Sequence, residues 1–190
     1  QSQLTGRDLT PDQLFDAVAS LHHRVQGSYV AIALIAGHGM LAFRDPYGIR
    51  PLILGRRLSD QGREEWIVAS ESLVIENSGY EIVRDVDPGE AVFIDADSNL
   101  HQRQCAESPR LIPCAFEYVY LARPDSVMHG ISVYESRLRM GDRLAQAIAE
   151  TLPAGDIDVV MPIPDSARPS AMQVAKQLGL EYREGFYKNR

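Results

Sequence analysis

The sequence contains few cysteines and no long hydrophobic run. Its 190 residues include two cysteines, Cys105 and Cys114, which are too few for the disulfide scaffold of a small secreted domain. The longest apolar stretch covers residues 29–36, whereas a membrane-spanning helix needs about 20 such residues. We therefore expect a cytoplasmic protein with no membrane partner.

Positive charge is also scarce. There are 19 Lys and Arg residues against 26 Asp and Glu, and the net charge is −7. Proteins that bind nucleic acids usually present a basic surface, so we expect no nucleic-acid partner. A content of 45% hydrophobic and 24% charged residues is that of an ordinary globular chain rather than a disordered one.

Residues 1–110 predict one helix followed by an antiparallel sheet. Thr10, Pro11 and Gln13 form a capping box with proline at the first helical position, and Gly27 is predicted to end this helix. Short β-type segments separated by tight turns then indicate antiparallel strands. The predicted strands cover 28–35, 40–44, 49–54, 66–69, 80–84, 90–95 and 100–104, with a short helix near 70–76.

The pattern changes after Cys114. Residues 116–121 are predicted to be extended, and Ser132 with Glu135 forms a second capping box that opens a helix to about Leu152. A strand over 157–163, a helix over 168–178 and a strand over 181–186 follow. Alternating helices and strands are typical of a doubly wound α/β sheet. We therefore predict a junction at 111–131 and a second domain over 132–190.

One loop of this second domain is a candidate phosphate site. Asp165 and Ser166 lie between the predicted strand and the next helix, where α/β proteins bind ligands and where helix N–H groups attract phosphate. Spacing alone favours a simpler interpretation, in which one of them caps the helix, because no glycine-rich phosphate loop is present. Lys188, Asn189 and Arg190 suit phosphate as well, although a solvated basic surface is the simpler alternative.

The residues predict no metal site by themselves. The nine-residue spacing of Cys105 and Cys114 matches no zinc signature. The five histidines show no metal-ligand spacing either. A lone cysteine such as Cys114 is most often a small buried apolar residue.

Two sets of motifs resemble a known family. The segments FRDPYGIRPL (43–52), VASE (68–71) and PGE (88–90) resemble the class II glutamine amidotransferases, which share an N-terminal-nucleophile (Ntn) hydrolase fold. Asparagine synthetases carry a similar series. Three further segments are similar to the amidophosphoribosyltransferase family and narrow the resemblance to it: FEYVYLARPDS (116–126), PIPDS (162–166) and GFYKNR (185–190).

This resemblance implies a fold and a reaction. Residues 1–110 would be the later part of the Ntn-hydrolase glutaminase domain, and 132–190 the start of a type I phosphoribosyltransferase domain. The family uses Mg²⁺ and converts glutamine, 5-phosphoribosyl 1-diphosphate (PRPP) and water into 5-phosphoribosylamine, glutamate and pyrophosphate, the first committed step of purine synthesis. The resemblance also implies that purine nucleotides are feedback ligands and that the full-length protein is a homo-oligomer.

The resemblance also assigns roles to residues of the phosphate loops. Ser166 matches a hydroxyl at the PRPP–Mg²⁺ site, next to Asp165. Lys188 matches a mobile-loop lysine that reaches the PRPP phosphates, and Asn189 and Arg190 begin the same loop.

Other residues are assigned outside those loops. Tyr120 matches an aromatic residue near the ammonia path that couples the two domains, while Arg44, Asp45 and Glu71 are expected to brace the glutaminase sheet. Cys114 matches an iron–sulfur ligand of some members, but members without a cluster have the same following residues. A cubane cluster needs about four thiolates, so we expect none here.

Two departures from the family pattern bear on activity. The family nucleophile is an N-terminal cysteine, whereas residue 1 is Gln, and the Asp-Asp signature for PRPP does not occur in the sequence. We therefore expect an internal fragment with two incomplete active sites that hydrolyses no glutamine. The alternative is a non-catalytic module, derived from this enzyme, that binds PRPP or nucleotides or has a regulatory role.

Overall fold

The computed structural model describes residues 9–153 and 155–189, in two compact units, Gln1–Cys114 and Ala115–Arg190. This division falls inside the predicted junction, 111–131. The assignment of the units to a glutaminase and a transferase domain stays a prediction. Within the described residues, no helix is both long and apolar enough to cross a membrane.

The first unit contains two antiparallel sheets. The first has the strand order β1-β2-β6-β7 and the second the order β4-β3-β5. The elements are α1 (Pro11–Arg24), β1 (Val30–Ile35), β2 (Gly39–Arg44), β3 (Ile53–Leu58), β4 (Glu64–Ala69), α2 (Ser72–Asn77), β5 (Glu81–Asp85), β6 (Glu90–Asp95) and β7 (Leu100–Gln104).

The two sheets pack face to face, with helices outside them. Apolar residues of α1 pack on one face of the first sheet, and its other face contributes Ala42 and Val92 to a core shared with Leu52 and Leu54 of the second sheet. The outer face of the second sheet receives Ile75 of α2, which lies where a side chain at Gly55 would be. Each face of the two sheets thus carries the apolar residues that the alternating strand pattern requires.

Helix α1 begins as predicted but ends earlier. Thr10 and Gln13 make both hydrogen bonds of the capping box. The prediction that Gly27 ends the helix is wrong: the last helical residue is Arg24, and Val25 is already extended, with its N–H bonded to the Leu21 carbonyl.

The third strand begins four residues later than predicted, because residues 45–50 form a loop held by one carboxylate. Asp45 is fully buried and accepts hydrogen bonds from the backbone N–H groups of Tyr47, Ile49 and Arg50. These amides are therefore not available to a strand ladder. The predicted type I turn is present, with a bond of 3.0 Å from Gly48 N–H to the Asp45 carbonyl.

Arg44 and Glu71 lie beside these elements. The buried guanidinium of Arg44 donates to the carbonyls of Arg50, Val86 and Gly48 at 2.6–2.7 Å, a geometry suited to bracing the sheet. Glu71 occupies the N-cap position of α2.

The second unit combines two long helices with short paired strands. Its elements are a π-helix (Glu117–Leu121), β8 (Val127–Met128), β9 (Ile131–Ser132), α3 (Val133–Thr151), β10 (Val159–Val160), α4 (Arg168–Leu178) and β11 (Glu181–Tyr182). Strands β8 and β9 are antiparallel, and β10 and β11 are parallel. The Ser132 hydroxyl caps α3 by accepting from Glu135 N–H, which is one of the two bonds of the predicted capping box. Gly179 ends α4 in the left-handed conformation, as predicted.

Three predictions for this unit are corrected. Residues 116–121 are not extended, because Ala122 N–H closes a five-residue turn on the Glu117 carbonyl. The predicted strands 157–163 and 181–186 shrink to two paired residues each, since each strand of the β10–β11 ladder has a hydrogen-bonded neighbour on one side only in the described chain.

Candidate functional site

Parallel pairing of β10 and β11 places the segments that follow them at one edge of the sheet. Val159 pairs with Glu181 and Val160 with Tyr182, and Arg183 N–H donates to the Val160 carbonyl at 3.0 Å. Because both strands run in the same direction, the loop 161–167 and the segment 183–189 leave the sheet on the same side.

Side chains join these two segments. The Arg168 guanidinium lies 3.5 Å from the Asp165 carboxylate and 3.2 Å from the Glu184 carboxylate. A Cβ atom on Gly185 would lie 2.5 Å from the Met161 sulfur, so the two segments also touch through van der Waals contact. The sequence therefore predicted correctly that the two segments meet at one sheet edge.

Ser166 lies two residues before Arg168, the first residue of α4. It is half-buried, and the N-cap residue is Ala167, with no side-chain capping bond among the described residues. The simpler interpretation that Asp165 or Ser166 caps the helix is therefore wrong. Asp165 is exposed and follows Pro164 through a cis peptide bond. At the start of α4, Arg168 N–H donates to the Asp165 carbonyl and Ala171 N–H to the Ala167 carbonyl, and Pro169 has no N–H, so these contacts leave the Ser170 N–H to the loop.

Positive charge reaches the site from the second segment. Lys188 and Asn189 are exposed on the segment that follows β11, and Arg190 lies outside the described residues. Arg168, which was not singled out from the sequence, adds a guanidinium that two carboxylates already engage. A bound phosphate would compete with Asp165 and Glu184 for it, as expected where an anion replaces an exposed ion pair.

An apolar wall adjoins the loop. A cavity of about 380 Å³ lies between the sheet and helices α3 and α4. Its apolar lining includes Ile157, Val160, Ile163 and Val174.

The described residues can supply only some of the ligands of a Mg²⁺ ion, and the others would come from phosphate and water. Among them no group of three or more His, Cys, Asp or Glu side chains could hold a metal. Asp165 and Ser166 nevertheless offer one carboxylate and one hydroxyl at the loop, and Mg²⁺ in phosphate sites often takes one or two protein oxygens with the rest from phosphates and water. The donor set therefore fits a magnesium ion that arrives with a diphosphate.

Tyr120 lies on the π-helix. Its side chain is 54% exposed and its ring packs edge-on to Phe116, with centroids 5.9 Å apart. The sequence did not indicate that this segment is helical.

Both cysteines are free thiols in the first unit. Cys105 is buried, and burial raises the pKa of its thiol. Cys114 is half-buried, and its backbone N–H donates to the Ile49 carbonyl. The expectation that Cys114 holds no iron–sulfur cluster stays a prediction.

Arg137 is a buried cation that was not predicted from the sequence. Arg137 lies in the buried stripe of α3 that also contains Val133, Gly141 and Ala145. A charged residue at the fourth-residue spacing of an apolar stripe is the signal that could have identified it.

The second unit therefore belongs to the α/β proteins in which loops after parallel strands meet beside a helix N-terminus, an arrangement suited to phosphate-bearing ligands. Comparison with known proteins specifies the class further. No family model matches the sequence.

Three curated relatives match nearly the whole chain, and they share one name. The amidophosphoribosyltransferase of Pseudomonas aeruginosa is 50% identical over 181 residues, which are 95% of this chain and 36% of the relative. Those of Escherichia coli and Saccharomyces cerevisiae are 50% and 44% identical over 182 residues each, again 36% of each relative. The chain thus spans about 36% of the length of these relatives.

A solved structure of the same kind of enzyme is similar to this chain. The glutamine PRPP amidotransferase from B. subtilis, complexed with ADP and GMP, matches with a TM-score of 0.78 at 30% identity and covers 98% of this chain and 38% of that chain. The chain is therefore homologous to part of the amidophosphoribosyltransferases.

Proposed function

We propose that the chain is part of an amidophosphoribosyltransferase that makes 5-phosphoribosylamine from glutamine, PRPP and water, with glutamate and pyrophosphate as the other products. The observation that carries this proposal is the meeting of the loop 161–167 and the segment 183–189 at one sheet edge, where Arg168 contacts both Asp165 and Glu184. The relatives, all of that enzyme, support the same reaction.

In this proposal the edge binds the diphosphate of PRPP. The Ser166 hydroxyl and the Ser170 N–H donate hydrogen bonds to phosphate oxygens, and Lys188 supplies a full charge, with Asn189 and Arg190 completing the same loop. Asp165 and Ser166 would hold Mg²⁺, which neutralises charge on the departing pyrophosphate when it is bound. The side chains thus orient the diphosphate as a leaving group.

The ammonia half of the reaction belongs to the first unit. We infer that this unit is the later part of an Ntn-hydrolase glutaminase and that Tyr120 acts in ammonia transfer. The 190-residue chain lacks a cysteine at residue 1, so we expect this polypeptide, purified alone, to release no ammonia from glutamine. Release above a buffer blank would contradict that expectation.

Purine nucleotides are the proposed regulatory ligands. The B. subtilis enzyme is complexed with ADP and GMP in its solved structure, and feedback by purine nucleotides suits the first step of a purine pathway.

The test replaces Ser166 and Lys188 by alanine in a full-length protein that carries this sequence. Lys188→Ala should weaken PRPP binding more, because a charge-assisted hydrogen bond contributes about 1.5–3 kcal/mol and a neutral one about 1 kcal/mol. Isothermal titration with PRPP and Mg²⁺, together with steady-state kinetics, measures both effects. The matched control is Lys176→Ala, the other lysine of the chain, which lies in the last turn of α4.

Each outcome of this test has a consequence. Equal PRPP affinity in Lys188→Ala and Lys176→Ala would contradict the assigned phosphate site. If the unmodified full-length protein binds PRPP or nucleotides but forms no phosphoribosylamine, the alternative of a non-catalytic binding module is the correct one.

A further inference from the structure

The second unit buries one cation that the proposed reaction does not use. Arg137 is 2% exposed, and burial lowers the pKa of its guanidinium. The partners that define its position are main-chain oxygens: Nε donates to the Tyr118 carbonyl at 2.9 Å and Nη2 to the Ala122 carbonyl at 2.7 Å. A buried cation is costly unless its donors are satisfied, so its position depends closely on these two carbonyls.

One of these carbonyls lies within the π-helix and the other belongs to its C-cap residue. Ala122 N–H bonds to the Glu117 carbonyl at 3.0 Å, which closes a turn one residue wider than that of an α-helix. Such turns are rare, short and frequent at functional sites. The guanidinium binds the carbonyls of Tyr118, inside this turn, and of Ala122, directly after it, and so spans the segment that carries Tyr120.

The backbone carbonyl of Arg137 is bonded to the first turn of α4. The Ser170 hydroxyl donates to the Arg137 carbonyl at 2.8 Å. Ser170 lies in the first turn of α4, four residues after Ser166. A continuous set of hydrogen bonds therefore runs from the start of α4 through Arg137 to the π-helix.

We propose that Arg137 is a positioning residue, which fixes the π-helix and thereby the placement of Tyr120 for the use of ammonia derived from glutamine. This inference rests on the proposed function. Arg137 acts through the backbone of the Tyr118–Ala122 segment rather than on a substrate. Its planar fork reaches two carbonyls at once, which neither an apolar residue nor a lysine ammonium reproduces.

The first test follows hydrogen exchange in the 190-residue chain. In Arg137→Met, amides of residues 117–122 should exchange about tenfold or more faster, because two charge-assisted hydrogen bonds are lost. Peptides from the middle of α3 should keep their protection. Arg143→Met is the matched control, since this exposed arginine of the same helix donates to Gln146. Unchanged exchange at 117–122 would overturn the proposal.

Arg137→Met could unfold the unit, so Arg137→Lys is the second variant. It keeps the charge and the apolar stem but loses the fork, and it should accelerate exchange at 117–122 by a smaller factor. If Arg137→Lys exchanges at the same rate as the unmodified chain, the guanidinium fork has no role in fixing the π-helix.

The second test separates positioning from stability in a full-length protein. Phosphoribosylamine formation is measured with glutamine and, separately, with added ammonia. Arg137→Lys and Arg137→Met should lower the glutamine-dependent kcat about tenfold more than the ammonia-dependent kcat, a difference of about 1.4 kcal/mol. Equal losses in both assays would show a merely structural role and overturn the proposal. An unmodified protein inactive in both assays would defeat the proposed function instead, while the exchange test still decides the contacts of Arg137.

Discussion

At the scale of single residues, buried charged and polar groups of the first unit are satisfied largely by backbone partners. Asp45 and Arg44 hold one loop from its two sides, as described above. His22 is similar: Nδ1 lies 2.7 Å from the Tyr29 hydroxyl and Nε2 lies 3.2 Å from the Gly89 carbonyl. Because a carbonyl only accepts, Nε2 carries the hydrogen, and Nδ1 accepts from Tyr29 in the neutral ring.

His22 makes stability depend on pH. Burial lowers its pKa below 6.5, against smaller opposing contributions from the Gly89 carbonyl and the Asp45 charge. The unfolded chain then binds protons more readily than the folded one, so the contribution of His22 is present above pH 6.5 and is lost as the pH falls through its lowered folded value. Urea unfolding should therefore show a larger loss of stability between pH 7 and pH 5 in the unmodified chain than in His22→Gln.

The exposed neighbour provides the control for this prediction. His23 has a side chain that is 60% exposed, 3.6 Å from Glu107. His23→Gln should retain most of the pH dependence of the unmodified chain. A pH dependence that disappears in His23→Gln but persists in His22→Gln would refute the assignment.

At the scale of elements, the contact between α3 and α4 depends on one glycine. A Cβ atom on Gly141 would lie 2.6 Å from the Ser170 carbonyl oxygen and 2.8 Å from Gln173 Cβ. Both atoms belong to α4 and move only with its backbone or with the root of a side chain. Beside this contact the Asp142 carboxylate accepts from the amides of Gln173 and Gln177 at 2.7 and 2.6 Å, which fixes the spacing of the helices.

Gly141→Ala should therefore destabilise the second unit. Alanine is favoured over glycine in a helix by about 1 kcal/mol, but overpacking of a close contact costs about 1–3 kcal/mol, and the fixed backbone oxygen makes the second effect the larger. Equilibrium unfolding monitored by circular dichroism measures the net change. Ala147→Gly, at an exposed position of α3, measures propensity alone, and a Gly141→Ala variant more stable than the unmodified chain would contradict the clash.

Elements with local signals were predictable from the sequence, and those that depend on partners were not. Thr10 and Ser132 mark helix starts through hydrogen bonds within one turn, so α1 and α3 were placed correctly at their N-termini. Strand lengths in the second unit depend on how many neighbouring strands pair with them, which no single segment encodes. The π-helix differs from an α-helix by one residue per turn, and its stabilising contact comes from Arg137, 15 residues beyond Ala122.

In the candidate site, too, some features were predictable from the sequence and others depend on distant partners. The shared edge followed from the rule that parallel strands direct their following loops to one side. The bridge from Arg168 to Glu184 depends on side-chain geometry across 16 residues, and nothing in the local sequence indicated it.

At the scale of the whole molecule, the second unit exposes apolar side chains beside its parallel strands. Ile163 is 65% exposed and Leu144 is 51% exposed, and both line the 380 Å³ cavity beside the sheet. These side chains and their apolar neighbours in the cavity form a surface on which an apolar ligand can bind.

The chain should accordingly bind a hydrophobic dye such as anilinonaphthalene sulfonate while its circular dichroism remains that of a folded protein. Ile163→Glu combined with Leu144→Glu should reduce the dye fluorescence several-fold, because a negative charge in the apolar cavity repels the sulfonate and removes apolar surface. Leu58→Glu is the control, since this leucine is 67% exposed in the first unit. Equal dye fluorescence in both variants would place the dye elsewhere.

The extra residue of the π-helix has a consequence for how this chain tolerates insertions and deletions. Removing one residue from Glu117–Leu121 would let the turn close as an α-helix, which by itself is the more favourable backbone geometry. Each residue of an α-helix advances the chain by about 100°, so the deletion would rotate the Ala122 carbonyl away from Arg137 and redirect the chain beyond it. Homologous sequences of this segment should therefore vary by substitution while keeping their length.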